Sequence, residues 1–343
     1  MTENILIEPS LRYINKKDLC ILRKRKGKSF VYTDINGKII RDEKLLERFK
    51  SLVIPPAWEK VKICTLPAGH IQATGRDARG RKQYIYHTKW EDFRNTTKFN
   101  RMIEFGETLP LIRKRIEKDL KNKSLIKDKV LATIVKLLEK SLIRIGNEIY
   151  AEQNNSYGLT TLQDKHLRIN GSTLNFNFIG KSGKSLKLVL TDKTLARLIK
   201  KCQDLPGQQL FQYLDEEGKR QPVDSADVNG YLNSIIEKNF TAKDFRTWGA
   251  TVVAAEKLSK LPLSDNEIEN NRNIVSAIKQ TANELNNTFA ICRKYYVHPQ
   301  IVEAYLDGYL FKVWNVSSAR NSKYGLNKEE KAVLKILKKY QSK

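Results

Sequence analysis

The chain has 343 residues, 40% of them hydrophobic, enough for two globular domains with ordinary cores. Lys and Arg number 63 against 38 Asp and Glu, a formal charge of +25 spread over both halves: 21 basic against 11 acidic residues through Asn95, and 42 against 27 beyond it. Such a distribution excludes a single basic tail as the cause and points to a polyanionic partner engaged along much of the chain.

The first residues, MTENILIEPSLRYINKKDL, hold no apolar signal core, and no run of about 18 apolar residues occurs anywhere, so neither export nor a membrane partner is expected. Cys20, Cys64, Cys202 and Cys292 form no C-x-x-C pair. Neither a zinc site nor a disulfide framework is indicated, and a reduced, intracellular protein is expected.

Residues 1–92 read as short strands broken by Gly, Pro and Asn. FVYTD and KII flank an Asn36-Gly37 turn, a helix lies near 43–52, and KICTL, HIQAT and QYIYH follow. This predicts a curved antiparallel sheet. The polar stretch at 88–95 reads as a linker to a second domain, 93–343, in which helical periodicity dominates. There a helix is predicted over 128–153, with Leu131, Ile134, Leu138, Leu142, Ile145 and Ile149 on its buried stripe. Arg144 lies off that stripe, about 120° from its centre, free to face a cleft or simply solvent.

Within the helical part, LNFNFIGKSGKSLKLVL (174–190) carries the tripeptide GKS twice. The phosphate-loop pattern needs a glycine five residues earlier, where Asn175 and Phe178 stand instead, and the flanks alternate as strands do. The segment is predicted to be a β-hairpin with Lys181 at its tip, on these grounds alone a solvated turn lysine. In TAKDFRTWGATVVAAEKL, Thr241 and Asp244 form a helix-start signature, and Arg246 falls near the first turn, where free N–H groups favour anions. NNTFAICRKYYVHPQIVEAYLDG has adjacent tyrosines before His298-Pro299, where a helix should begin and end before Gly308. A tyrosine becomes a nucleophile only where cations favour its phenolate; otherwise it is an aromatic packed at a helix end. The last residues, KEEKAVLKILKKYQSK, read as a charged helix packed on the surface.

Taken together, IPPAW (54–58), HIQATGRDARGRKQYIYH (70–87), RIGNEIY, SYGLTTL, FNFIGKSGK, KDFRTWGAT and NTFAICRKYYVHP resemble the type IB DNA topoisomerases, in particular the small form of bacteria and large DNA viruses. The resemblance implies an α+β architecture: an N-terminal antiparallel β-sheet domain that clamps DNA, and a mainly helical catalytic domain with a small β-hairpin sheet, of the fold shared by DNA breaking–rejoining enzymes and tyrosine recombinases. Motif by motif, Arg144 and Arg246 match the two catalytic arginines, Lys181 the hairpin lysine and Tyr296 the nucleophile. The fifth position, nine residues before the tyrosine, is histidine in poxviral and eukaryotic members and Asn287 here, as bacterial relatives tend to have. Without the resemblance, Asn287 reads as a helix cap.

The chemistry is coherent. In-line displacement at a phosphodiester builds charge on the non-bridging oxygens, which Arg144, Arg246 and Asn287 can stabilise, while Lys181 can protonate the leaving 5′-oxygen. The resemblance further implies relaxation of supercoiled duplex DNA through a 3′-phosphotyrosine, with no ATP, no metal and no other cofactor. Contacts to double-stranded DNA are expected from Arg79, Arg81 and Lys82 toward the backbone and Gln83 and Tyr84 toward bases, with Tyr150 and Lys243 as further family-implied contacts. A monomer is expected, located in the cytoplasm with the nucleoid if bacterial, or in the host cell or virion if viral. Two other readings share parts of the pattern. A tyrosine recombinase has the same Arg, Lys, Arg, Tyr set but usually His-x-x-Arg, where this chain has Lys243-Asp-Phe-Arg246. A non-catalytic architectural DNA-binding protein would explain the charge but would not require Tyr296.

Overall fold

The computed structural model describes residues 10–316 and 322–341. The chain divides into two compact units, Met1–Phe99 and Asn100–Lys343.

The first unit is built on five antiparallel strands, β1 (Ile21–Lys26), β2 (Ser29–Thr33), β3 (Glu59–Ile63), β4 (Ile71–Arg76) and β5 (Lys82–Tyr86), in the order β2-β1-β3-β4-β5. Helix α1 (Glu43–Ser51), capped by Asp42 on the Leu45 N–H, drives Phe49 into the core with Ile21, Tyr32, Ile54, Val61, Ile63 and Ala73. The IPPAW turn is held from inside: the Arg23 guanidinium donates to the carbonyls of Ile54, Pro55 and Trp58 at 2.8, 2.8 and 3.0 Å. A buried cation thereby satisfies three carbonyls of an irregular loop.

Two details differ from the sequence reading. Strand β1 escapes the pattern because only Ile21 and Arg23 of ILRKRK are buried and the outer half is charged. It pairs with β2 across Gly27 (φ +60°), whereas KII contributes one isolated bridge, Thr33 with Ile39. The stretch 88–95 is no linker: it opens helix α2 (Thr88–Asp119), which runs from the first unit into the second.

The second unit is mainly helical. After α2 come α3 (Lys127–Ser141) and α4 (Glu148–Asn154), then a three-stranded antiparallel sheet of β6 (Leu167–Asn170), β7 (Thr173–Ile179) and β8 (Ser185–Thr191). Helix α5 (Lys193–Gln203), a β9 (Gln212–Leu214) and β10 (Arg220–Pro222) ribbon, and α6 (Ser225–Ile235) lead to α7 (Ala242–Ser259). Then follow α8 (Glu267–Glu284), α9 (Phe289–Tyr295), α10 (Pro299–Leu306), α11 (Tyr309–Val316) and α12 (Lys328–Gln341). The antiparallel sheet unit plus helical unit is the predicted α+β architecture, with the hairpin where expected. Helix α10 starts at Pro299, as predicted, and His298 caps it.

Helix α12 is not a surface ornament. It buries Ala332, Val333, Ile336 and Leu337, and its Glu330 joins Glu139 in gripping Arg113, each at 2.7 Å. Glu330 also lies 3.4 Å from the Trp248 indole N–H on α7. Among the described residues no helix is long and apolar enough to cross a membrane.

Candidate active site

Helix α3 stops earlier than its apolar stripe implies. Leu142 takes the left-handed conformation (φ +52°) and Gly146 follows at φ +106°, so residues 143–146 form a loop and α4 begins separately, leaving Ile149 exposed. Arg144 therefore rides on a loop and not on a helix flank. The SYGLTTL segment clamps this loop: Leu159 N–H donates to the Arg144 carbonyl at 2.9 Å and Thr160 N–H to the Ile145 carbonyl at 2.7 Å. Gly158 makes the approach possible, since a Cβ there would meet the Arg144 carbonyl oxygen and the Gly146 nitrogen at 2.5 Å.

Arg246 comes from α7, whose start is fixed by the predicted capping box: Asp244 accepts from the Thr241 backbone at 2.8 Å and its hydroxyl at 2.9 Å. The side chain is only 4% exposed and donates to the Leu285 carbonyl at the end of α8, 3.0 Å away. Asn287 lies just before Thr288, the true cap of α9, and its Oδ1 accepts from the Arg144 guanidinium. Tyr296 ends α9, its N–H bonded to the Cys292 carbonyl at 3.0 Å. The Arg246 guanidinium sits 5.3 Å from the Tyr296 ring centroid.

Four predicted residues thus converge, and the electrostatics follow. Burial pushes the Tyr296 phenol up, but Arg246, then Arg144, and more weakly Lys243 outweigh it, and the net shift is below the ordinary tyrosine value. Burial, with the like charge of Arg144, pushes Arg246 down to about 10, still cationic at neutral pH. Burial also lowers Arg144. Two donors in this cluster are buried and unpartnered, Arg246 Nε and Asn287 Nδ2. Buried donors are ordinarily paired, so the pair is a strong mark of an anion site.

Thr251, one turn beyond Arg246 on α7, is fully buried; its hydroxyl lies 3.2 Å from the Tyr296 carbonyl and accepts the His298 N–H at 3.2 Å. It ties the Tyr296 backbone to the helix that carries Arg246. Sequence reasoning missed it because a threonine inside a helix carries no signal of a tertiary partner 45 residues away.

Lys181 is exposed at the hairpin tip, hydrogen-bonded to none of the four, on a short turn whose Ser182 and Gly183 have positive φ. Lys243 and Tyr150 are exposed on the same unit. In the first unit Asp77 organises the β4–β5 turn, accepting from the backbones of Arg79 and Arg81, the Arg81 guanidinium and the Gln83 amide. The Arg81 bond is the main cause of its carboxyl falling to about 2. Arg81 and Gln83 are therefore committed within the turn, whereas Arg79, Lys82 and Tyr84 are exposed, with Lys82 4.9 Å over the Tyr84 ring. Among the described residues no cluster of three or more His, Cys, Asp or Glu side chains could hold a metal ion.

Comparison with known proteins identifies the family. The family model of the eukaryotic DNA topoisomerase I catalytic core matches residues 87–321, and that of the bacterial DNA topoisomerase IB N-terminal domain matches residues 29–77. The DNA topoisomerase 1B of Acanthamoeba polyphaga mimivirus is 34% identical over 294 residues, 83% of this chain and 87% of the relative. That of vaccinia virus (strain Copenhagen) is 25% identical over 237 residues, 68% of this chain and 72% of the relative. Among solved structures, the XerH site-specific recombinase in its post-cleavage complex with palindromic difH aligns over 66% of this chain and 57% of that one, at 14% identity and a TM-score of 0.34, too low to bear on function. With a catalytic-core match over most of its length and a viral relative 34% identical over 83% of it, the chain belongs to the type IB DNA topoisomerases.

Proposed function

We propose that Tyr296 attacks a phosphodiester of duplex DNA, forming a 3′-phosphotyrosine and releasing a 5′-hydroxyl, and that religation by reversal follows rotation of the free end. The observation that carries this reading is the convergence of Arg144, Arg246 and Asn287 on Tyr296, with Arg246 Nε and Asn287 Nδ2 buried and unpaired. Those two N–H groups, with the remaining guanidinium donors, suit the non-bridging oxygens, whose charge grows as the phenol oxygen bonds to phosphorus. Asn287 has one amide orientation for this task. Its oxygen is held by Arg144, so only its NH₂ is left to donate.

Cations that depress Tyr296 ease loss of its proton to solvent, and Lys181, carried on the hairpin, supplies a proton to the departing 5′-oxygen. The bond energy kept in the phosphotyrosine drives religation, so the cycle calls on no nucleotide, and the arginine pair supplies the positive charge that a metal ion supplies elsewhere. Arg79, Lys82 and Tyr84 in one unit, and Tyr150 and Lys243 in the other, are exposed and suited to hold DNA. Arg81 and Gln83 would have to leave Asp77 to do so. One protomer contains every residue named, consistent with action as a monomer.

The test is relaxation of positively and negatively supercoiled plasmid with EDTA present and nucleotide absent. Relaxation by the native chain and none by Tyr296→Phe supports the reading; a strict requirement for magnesium or ATP contradicts it.

A further inference from the structure

Lys181 reaches the site only through its hairpin, so the anchoring of the hairpin decides where the ammonium stands. The root is closed by the pairing of Ile179 with Ser185 and by the Gly180 N–H, which donates to the Lys184 carbonyl at 2.8 Å. The two legs are then held from different sides. On the β7 leg, the Ile179 carbonyl accepts from the Tyr157 N–H at 2.8 Å and the Gly180 carbonyl from the Ser156 hydroxyl at 3.2 Å. Those two residues lead directly into 158–160, the segment that clamps the Arg144 loop. On the β8 leg, the Ser185 carbonyl accepts from the side-chain amide of Asn286 in a long hydrogen bond of 3.4 Å.

Asn286 occupies the middle of a tripeptide that touches three parts of the site. The Leu285 carbonyl accepts from Arg246 at 3.0 Å, Asn287 Oδ1 accepts from Arg144, and Asn286 between them reaches the hairpin. The backbone makes this possible. Asn286 takes the left-handed conformation at φ +51°, with its N–H on the Asn283 carbonyl at 3.0 Å, and the Asn287 N–H turns back to the Ala282 carbonyl at 2.8 Å. Asparagine is among the few residues other than glycine that enter this region readily, and its amide offers the N–H that a carbonyl needs.

We propose that Asn286 is a positioning residue for Lys181: its amide holds the β8 leg of the hairpin to the turn that also holds Arg144 and Arg246, and so sets the reach of the ammonium toward the departing 5′-oxygen. The inference rests on the reading of Lys181 as general acid given above.

Without the amide the hairpin keeps only its β7 anchor, and Lys181 is held less well against the leaving group. Misplacing a reacting group by about 1 Å can cost up to about 10²-fold in rate. The contacts of Arg144, Arg246 and Asn287 do not pass through the Asn286 side chain, so stabilisation of the non-bridging oxygens is retained. The defect is therefore confined to proton transfer, which a loosened fold would not produce.

The experiment measures single-turnover cleavage by the full chain on ordinary duplex and on the same duplex with sulfur at the bridging 5′ position. The native protein is compared with Asn286→Gly, Asn286→Asp and Lys181→Ala. Glycine accepts the positive φ and removes only the amide, whereas aspartate keeps the shape but sets oxygen against the Ser185 carbonyl. Both Asn286 variants should cleave ordinary DNA slower by about 10–10²-fold, bind duplex within a few-fold of native, and regain most of their rate on the sulfur substrate, as Lys181→Ala does. If Lys181→Ala is rescued by sulfur but Asn286→Gly cleaves ordinary DNA at the native rate, or is equally slow on both substrates, the proposal is overturned and the general acid stands. If sulfur does not rescue Lys181→Ala, the general-acid reading falls and this proposal falls with it.

Discussion

The Arg246 guanidinium lies 5.3 Å from the Tyr296 ring centroid, and it is the strongest of the cations that pull the phenol below its ordinary value. In the proposed reaction the pair would couple two functions, since one cation would favour the phenolate before attack and face the phosphoryl oxygens during it. Single-turnover cleavage should therefore rise with pH along a limb set below the usual tyrosine range. In Arg246→Ala the depression is relieved, so the limb moves to higher pH, and the rate falls by roughly 10²–10³. An unshifted limb in the variant would separate Arg246 from Tyr296 ionisation.

Thr251→Val keeps the shape of a fully buried side chain but removes the acceptor of the His298 N–H and the contact to the Tyr296 carbonyl. Leaving that N–H unpaired costs about 1–3 kcal/mol. Cleavage should slow while duplex affinity, which rests on distributed phosphate contacts, stays within a few-fold. Thr251→Ser should recover most of the rate. Equal rates for Val and native enzyme would remove the positioning role.

Gly158→Ala should be among the most damaging single-methyl changes in the chain, because the new Cβ meets backbone atoms of Arg144 and Gly146, which cannot rotate aside as a side chain would. A lowered Tm together with loss of cleavage is expected. A variant with native stability and activity would mean that the 143–146 loop tolerates displacement.

The hairpin, the capping box of α7 and the proline start of α10 were all legible because their signals are local: alternation, a Thr–Asp spacing of three, a His-Pro step. The break after Ser141 was not. Apolar residues continue at helical spacing through Ile149, and what interrupts them is the left-handed Leu142 and the clamp from residues 158–160, a tertiary cause. Likewise α12 reads as charged because its lysines and glutamates outnumber its apolar residues, although those apolar residues share one face and pack inward. The site residues were legible as motifs. Their pairings, Arg144 with Asn287 and Arg246 with Tyr296, join segments 143 and 50 positions apart and needed the fold.

Lys181 is separated from a mere electrostatic anchor by leaving-group chemistry. Sulfur in place of the bridging 5′-oxygen departs without protonation, so Lys181→Ala should cleave ordinary DNA slower by about 10²–10⁴ yet recover most of its rate on the sulfur substrate. Arg246→Ala should recover far less, since charge on the non-bridging oxygens develops with either leaving atom. Equal defects of Lys181→Ala on both substrates would place the general acid elsewhere.

The central claim is that Tyr296, and not its neighbour Tyr295, becomes covalently joined to DNA. The most direct measurement traps the cleaved complex on a duplex whose 5′-end is lost by diffusion after cleavage, digests the protein, and maps the DNA-linked peptide. The account predicts a 3′-phosphate ester on Tyr296 in the native chain, the same adduct in Tyr295→Phe and none in Tyr296→Phe. An adduct on Tyr295, or linkage through a 5′-phosphate, would contradict it.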